Sequence, residues 1–407
     1  MNPVFVGIDW AHRHHDICLM DTNGTVLQNF RINNDIDGFF QLDMHLKPYL
    51  KEQVFICIEI NHGLLFEHLL QFGYRLFPIN PGALVDYRKT YTLAKNKNDK
   101  LDARLLADYI RKDRHRLREY KMNSKSTQLL KLLTEDRQRL LKEKIRLENQ
   151  LVDTLKLYYP NALKLFCDIT SQISLSFLSK YPTPQKAKNL TLKNLKSFLK
   201  KHRYTKPQRA EEIFSLLQKD HPQAPEIFIQ AKERLLKAII PQIQAILQQL
   251  DAYTHEIKKH YDQHPDKDIF NNLPGVGNDI GPRLLSCLGD QRDRFSHFND
   301  IQCLAGTAPI TIKSGQSCHI FFRSACNKFF RNVLDQMAFS SLKRSLWAKN
   351  YYDQQRKKGK SHHAALRALA NKWLKIIHHL WLTHTTYDET YHLAQITKRS
   401  LAKQLAA

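Results

Sequence analysis

Apolar and polar positions change period several times along the first 115 residues. Residues 4–9, 16–21 and 26–32 are short runs rich in apolar and β-branched side chains that predict three strands, and "DTNGTV" supplies an Asn-Gly hairpin turn between the last two. Residues 36–50 repeat apolar positions at helical spacing. Residues 54–60 predict a fourth strand, 64–72 a helix, and "YRLFPIN" a fifth strand ended by Pro78 and Pro81. Residues 99–112 predict a helix that opens with aspartate, a favourable charge at a helix N-terminus. Together these elements predict an α/β domain over residues 1–120.

The pattern then lengthens. Leu129, Leu133, Leu140, Leu147, Leu151 and Leu155 form a stripe over 124–157, with charges between them. A second stripe over 225–262 uses Leu235, Ile239, Ile243, Ile246, Leu250, Tyr253 and Ile257, with a kink expected at Pro241. These two amphipathic helices predict a coiled-coil arm spanning 121–265, paired antiparallel or with a second subunit. Between them, about 170–222 reads as a small basic helical insert entered through prolines. A largely helical C-terminal domain is expected over 266–390, followed by a basic tail over 391–407. The fold class is therefore α/β plus all-α.

Charge narrows the partners. Lys and Arg total 63 against 39 Asp and Glu, a formal net charge of +24, which implies a polyanion such as nucleic acid. No stretch reaches the roughly 18 uninterrupted apolar residues of a membrane-spanning helix, and "MNPVFVGIDW" has no basic leader region. Seven scattered cysteines without C-x-x-C spacing predict reduced thiols rather than disulfides or a zinc site.

Four carboxylates carry the candidate chemistry. Asp9 in "VFVGIDWA" and Glu59 in "VFICIEI" lie at the ends of apolar strands, where an acid is costly without a partner. Asp99 and Asp102 in "KNDKLDARLLADYI" are three apart on one helical face. Hard oxygen donors of this kind suit Mg²⁺, and a pair of such ions clamps a phosphodiester for in-line displacement. The strand–hairpin–strand–helix–strand order is that of an RNase H-like sheet. Further on, "LPGVG" before a helix resembles a helix-hairpin-helix turn, where Gly275 and Gly277 would let backbone N–H groups hold a DNA phosphate. Lys343, Arg344, Lys349, Arg356, Lys357, Lys358 and Lys360, interleaved with Trp347, Tyr351 and Tyr352, suit phosphate contact and base stacking. His12, His14 and His15 read as a solvated turn rather than a metal site.

The succession Asp9, Glu59, Asp99-x-x-Asp102-Ala103-Arg104, then a coiled coil, then "LPGVG", "AGTAPITIKSGQS" and "NKFFRNVL" resembles the DEDD-type insertion-sequence transposases, described as bridge-RNA-guided recombinases. The resemblance covers the first 115 residues and about 270–380, and the insert matches only loosely. It implies a RuvC-like N-terminal domain with Asp9, Glu59, Asp99 and Asp102 as Mg²⁺ ligands. It also implies a C-terminal transposase domain whose "SG" serine falls on Ser314, attacking DNA to form a phosphoserine link, with Ser317 and Ser324 as competitors. Arg323, Lys328 and Arg331 would then hold the scissile phosphate. Implied partners are double-stranded donor and target DNA, a guide RNA and further copies of the chain as dimer or tetramer, with no membrane; the implied location is prokaryotic cytoplasm at the nucleoid. Two positions depart from the family pattern. "INHG" follows Glu59 in place of a small-Thr-Gly sequence, bringing His62 into view as a neighbour of the site, and Cys326 stands before Asn327 in place of glycine. The residues alone also allow a metal-dependent junction-resolving nuclease that uses water, or a non-catalytic nucleic-acid-binding scaffold.

Overall fold

The structure is a computed structural model that describes residues 2–91, 98–220, 222, 224–315 and 317–405, with 399–405 as backbone only. Lys97, which opens the "KND" element, and Gln316 in the serine turn lie outside the described residues. The chain divides into two compact units, Met1–Met122 and Asn123–Ala407.

The first unit is a five-stranded mixed sheet between helices. Its elements are β1 (Val4–Trp10), β2 (His14–Met20), β3 (Val26–Asn33), α1 (Ile36–Leu46), β4 (Val54–Ile58), α2 (Leu64–Gln71), β5 (Arg75–Pro78), α3 (Pro81–Tyr91) and α4 (Asp99–Asp113). Strand order is β3-β2-β1-β4-β5, with β1 antiparallel to β2 and parallel to β4, consistent with an RNase H-like domain. Side chains alternate faces along each strand. Val4, Val6, Ile8, Val54, Ile56 and Ile58 pack with Phe39, Leu42, Leu65, Phe66 and Leu69 on one side. Phe5, Cys18, Phe55, Cys57 and Phe77 pack with Ala103, Leu106, Ala107 and Ile110 of α4 on the other. At Gly7 that second face is bare: a Cβ there would lie 2.0 Å from the Ala103 carbonyl oxygen and 2.4 Å from the Ala107 nitrogen. Helix α4 therefore rests directly on β1. Helix α1 ends at Leu46, with Lys47 as its C-cap, just before Pro48, which has no backbone N–H to continue the helical ladder.

The second unit is largely helical. It comprises α5 (Lys125–Tyr158), α6 (Gln172–Lys180), α7 (Pro184–Lys188), α8 (Leu192–Lys201), α9 (Ala210–Gln218), α10 (Glu226–Asp262), α11 (Lys267–Asn271), α12 (Gly277–Leu288), α13 (Phe298–Leu304), the hairpin β6 (Ile310–Ser314) and β7 (Ser317–Phe321), α14 (Lys328–Ser341), α15 (Leu346–Lys357), α16 (His362–Thr383) and α17 (Glu389–Leu405). The long helices α5 and α10 lie against each other and join two separate cores. One core gathers Leu147, Leu151 and Leu155 with Ile239, Ile240, Ile243 and the insert residues Leu175, Phe177 and Leu195. The other gathers Leu130 and Ile257 with Phe270, Leu284, Phe330, Leu369, Trp373 and Trp381. Two expectations need correction here. The α5 stripe enters the core through Leu130, while Leu129 stays 38% exposed. Trp347 does not face outward for stacking: it is buried, its indole donates to Tyr387, and its ring meets Trp373. No helix among the described residues is long and apolar enough to cross a membrane.

Candidate active site

The acidic corner of the first unit follows from strand register. Ile8 pairs with Ile58 across parallel β1 and β4, so Asp9 and Glu59 are the next residues of the two strands. Both continue the alternation of the face that α4 covers, and both are half-buried. Asn98 caps α4 by accepting from the Lys100 N–H, which puts Asp99 and Asp102 in the first helical turn. Asp102 precedes Ala103, the residue seated on Gly7, and is buried. Its charge is paired with the Arg88 guanidinium of α3, whose Nε has no hydrogen-bond partner among the described residues.

Helix α3 was not legible as a helix from its sequence, yet it fixes α4 through polar contacts. Tyr87 donates to Asp108 at 2.8 Å, and Tyr91, Arg111 and Lys112 meet the same carboxylate. Burial alone would raise the Asp108 pKa, but these partners hold it well below the usual carboxylate range. Burial instead raises the Cys57 thiol, two residues before Glu59, with the Glu59 charge adding to the rise.

A second group gathers beside the first. Asp16 is directly across from Asp9 in the β1–β2 register, and His14 shares its face two residues earlier. Ligand atoms of His14, Asp16 and Asp99 all lie within 4.8 Å of one another, the one such group among the described residues. Asp16 accepts from Arg31 at 2.6 Å and 3.2 Å, and Arg31 also stands 4.0 Å from Asp99. Of the three histidines, His12 lies in the exposed turn expected of it, while the other two belong to β2. His14 opens β2 within the acidic group, and His15 is fully buried, its Nε2 3.2 Å from Asn34 Oδ1 and its pKa lowered by burial. His62 is exposed and bonded to its neighbour Asn61. The signal for Asp16 was available in the hairpin itself, since pairing the predicted strands sets it opposite Asp9. Oxygen donors dominate the corner, and that donor chemistry fits a hard divalent cation.

In the second unit, Ser314 ends β6 and pairs with Ser317 across the hairpin tip. Gly315 between them takes φ +56°, a left-handed conformation that favours glycine. The Ser317 hydroxyl donates to the Ser314 carbonyl at 2.8 Å. Every β7 residue is exposed, and β6 is exposed beyond Ile310. At the hairpin root the guanidiniums of Arg331 and Arg367 both lie over the Phe322 ring, at 4.8 Å and 4.7 Å from its centroid. Arg323 donates to the Ala308 carbonyl at 3.2 Å, and Lys328 is exposed at the start of α14. Burial raises the nearby Asp335 carboxyl, against the opposing charges of Arg367 and Arg331. Arg367 and Phe322 were not singled out by spacing, because they are 45 residues apart in sequence.

The glycine turn precedes α12. Gly275 has φ +78°, and a Cβ there would be 2.6 Å from the Ser340 backbone, so its role is close approach to α14; Gly277, at φ +55°, has open space around it. Asp279 in the first turn of α12 is paired with Arg137 and Arg283 at 2.8 Å each.

Two family models match parts of the chain, and relatives match most of its length. A family model described as a transposase of the DEDD, IS110 type matches residues 6–160. A model described as the transposase IS116/IS110/IS902 family matches residues 267–353. A mini-circle putative transposase for IS117 from Streptomyces coelicolor is 31% identical over 395 residues, 95% of each chain. A 42 kDa protein of insertion element IS900 from Mycobacterium paratuberculosis is 24% identical, covering 95% of this chain and 97% of the relative. A 44.8 kDa protein of insertion element IS116 from Streptomyces clavuligerus is 23% identical, covering 92% and 93%. With both family models matched and a relative 31% identical over 95% of each chain, the chain belongs to the IS116/IS110/IS902 family of transposases.

Proposed function

We propose that this transposase cuts and rejoins donor and target DNA through a covalent phosphoserine at Ser314, with Asp9, Glu59, Asp99 and Asp102 as ligands for Mg²⁺. The observation that carries the reading is register: Asp9 in β1 and Glu59 just past β4 continue neighbouring parallel strands on the face where Gly7 seats Ala103, the residue after Asp102. When bound, divalent ions offset charge on the phosphodiester during displacement. Arg88 releases Asp102 to that role, and His14 and Asp16 border Asp99 as additional donors. Ser314 supplies the nucleophile. Gly315 holds its turn, while Arg331 and Arg367, stiffened by Phe322, and the neighbouring Arg323 and Lys328 hold phosphate. Gly277, open to its surroundings, admits a DNA phosphate near the α12 N-terminus.

A structured non-coding RNA guides the reaction in this reading, bound by backbone contacts of the basic helical surfaces. The arm also joins subunits. Between Thr134 and Leu147 on α5, and between Ile243 and Ile257 on α10, no residue is buried. Leu140, Ile246, Leu250 and Tyr253 there remain half-exposed, leaving an apolar seam for a second copy.

The deciding experiment traps protein–DNA adducts on a supercoiled plasmid carrying the insertion sequence with its flanks. Wild type is expected to give an adduct that Ser314→Ala abolishes with DNA binding retained, while Ser317→Ala is mild. Recombination by Ser314→Ala at the wild-type rate overturns the serine mechanism in favour of water as the nucleophile.

A further inference from the structure

A serine hydroxyl is a weak nucleophile at neutral pH and requires a base. The hairpin register brings one to its face. Ser314 pairs with Ser317, and Ile312 pairs with His319. Directly opposed residues of an antiparallel pair point to the same side, as do residues two apart on one strand. Ser314, Ser317, Ile312 and His319 therefore share one face of the ribbon, with His319 diagonal to Ser314. Such diagonal neighbours lie about 7–8 Å apart, within reach of an aromatic side chain. The His319 and Phe321 rings, 6.1 Å apart, mark the same face nearer the root. Lys313, Cys318 and Ile320 occupy the opposite face. Ser317, the nearest hydroxyl, already donates to the Ser314 carbonyl, so it braces the turn rather than accepting the nucleophile's proton. Among the described residues of the ribbon, His319 alone carries a side chain able to take a proton at neutral pH.

We propose that His319 is the general base for Ser314, an inference that rests on the serine mechanism above. In the forward step the Oγ–H proton of Ser314 passes to an imidazole nitrogen as the Oγ–P bond forms. The P–O bond to deoxyribose breaks, and the departing oxygen takes a proton from water. On resealing, a deoxyribose hydroxyl gives its proton to water and attacks phosphorus. The Oγ–P bond then breaks, and the imidazolium returns its proton to Oγ. Atoms and charge balance in both directions without an external reactant other than water.

The test measures single-turnover adduct formation on the same supercoiled plasmid for wild type, His319→Ala, His319→Gln and Ser314→Ala, alongside DNA affinity for each. His319→Ala is expected to slow adduct formation by about 10²- to 10⁴-fold, the usual contribution of a positioned base, with DNA affinity unchanged. His319→Gln keeps size and hydrogen bonding but cannot accept the proton, so it is expected to be as slow as alanine. Added imidazole is expected to restore part of the rate to His319→Ala and none to Ser314→Ala. If His319→Gln works at the wild-type rate, or imidazole fails to rescue His319→Ala, the base assignment is overturned while the serine mechanism stands. If Ser314→Ala forms the adduct, the serine mechanism itself falls. Because His319 is exposed on a ribbon outside both helical cores, these variants leave the fold intact, which circular dichroism checks.

Discussion

The acidic corner and the serine ribbon are built in opposite ways. In the corner, paired strands, a bare Gly7 and the polar seam between α3 and α4 fix each carboxylate before any partner arrives. The ribbon has two strands, both faces open, and Ile320 71% exposed. An isolated two-stranded hairpin is marginal in water. The contrast teaches where each half of the proposed chemistry gets its order: the carboxylates from the fold, the serine from what it meets.

The largest effect that would break this comparison is expected at the corner. Asp102→Asn should lower DNA cleavage on the order of 10³-fold or more by removing a charged ligand; cleavage at the wild-type rate would remove Asp102 from the site. Next comes Arg88→Ala. It leaves the buried Asp102 charge uncompensated and should destabilise the first unit by about 3–5 kcal/mol in urea melts without divalent cation. Added Mg²⁺ should recover part of that loss, whereas equal loss with and without the ion would separate Asp102 from metal binding. Gly7→Ala follows. Its Cβ meets the α4 backbone, so about 1–3 kcal/mol of stability should be lost, and cleavage should fall with it because α4 carries Asp99 and Asp102. A fully active, stable Gly7→Ala protein would mean that α4 is not held by this contact. The smallest effect sharpens the ribbon's side. Ile320→Thr should change stability by less than about 0.5 kcal/mol, and a larger loss measured by thermal unfolding would reveal that the ribbon is packed after all.

What the sequence made legible follows the same division. Strands β1 to β4, α4, α5 and α10 carry strong apolar periods because each buries a face, and their expected bounds fall within a few residues of those observed. Helix α3 escaped because "PGALVDYRKTY" buries one leucine, Leu84, and docks through Tyr87, Arg88 and Tyr91 instead. The hairpin strands escaped because alternation carries no signal when both faces are wet. Trp347 misled for a related reason. Its basic neighbours point to water while it packs on Trp373, and composition does not separate the two sides of a helix. The carboxylates of the corner could be named from strand ends and a shared helical face, and Asp16 from pairing the predicted strands, but Arg88 needed the docking of α3 that only the fold supplies.

The two cores joined by α5 and α10 set a distance. Leu130 belongs to one and Leu151 to the other, and 21 residues of α-helix measure about 31 Å at 1.5 Å per residue. Each residue added to the helix pair would push the two cores about 1.5 Å apart and turn one against the other by about 100° around the helix axis, so a change in the arm's length would re-aim whatever each core carries even where every contact survived.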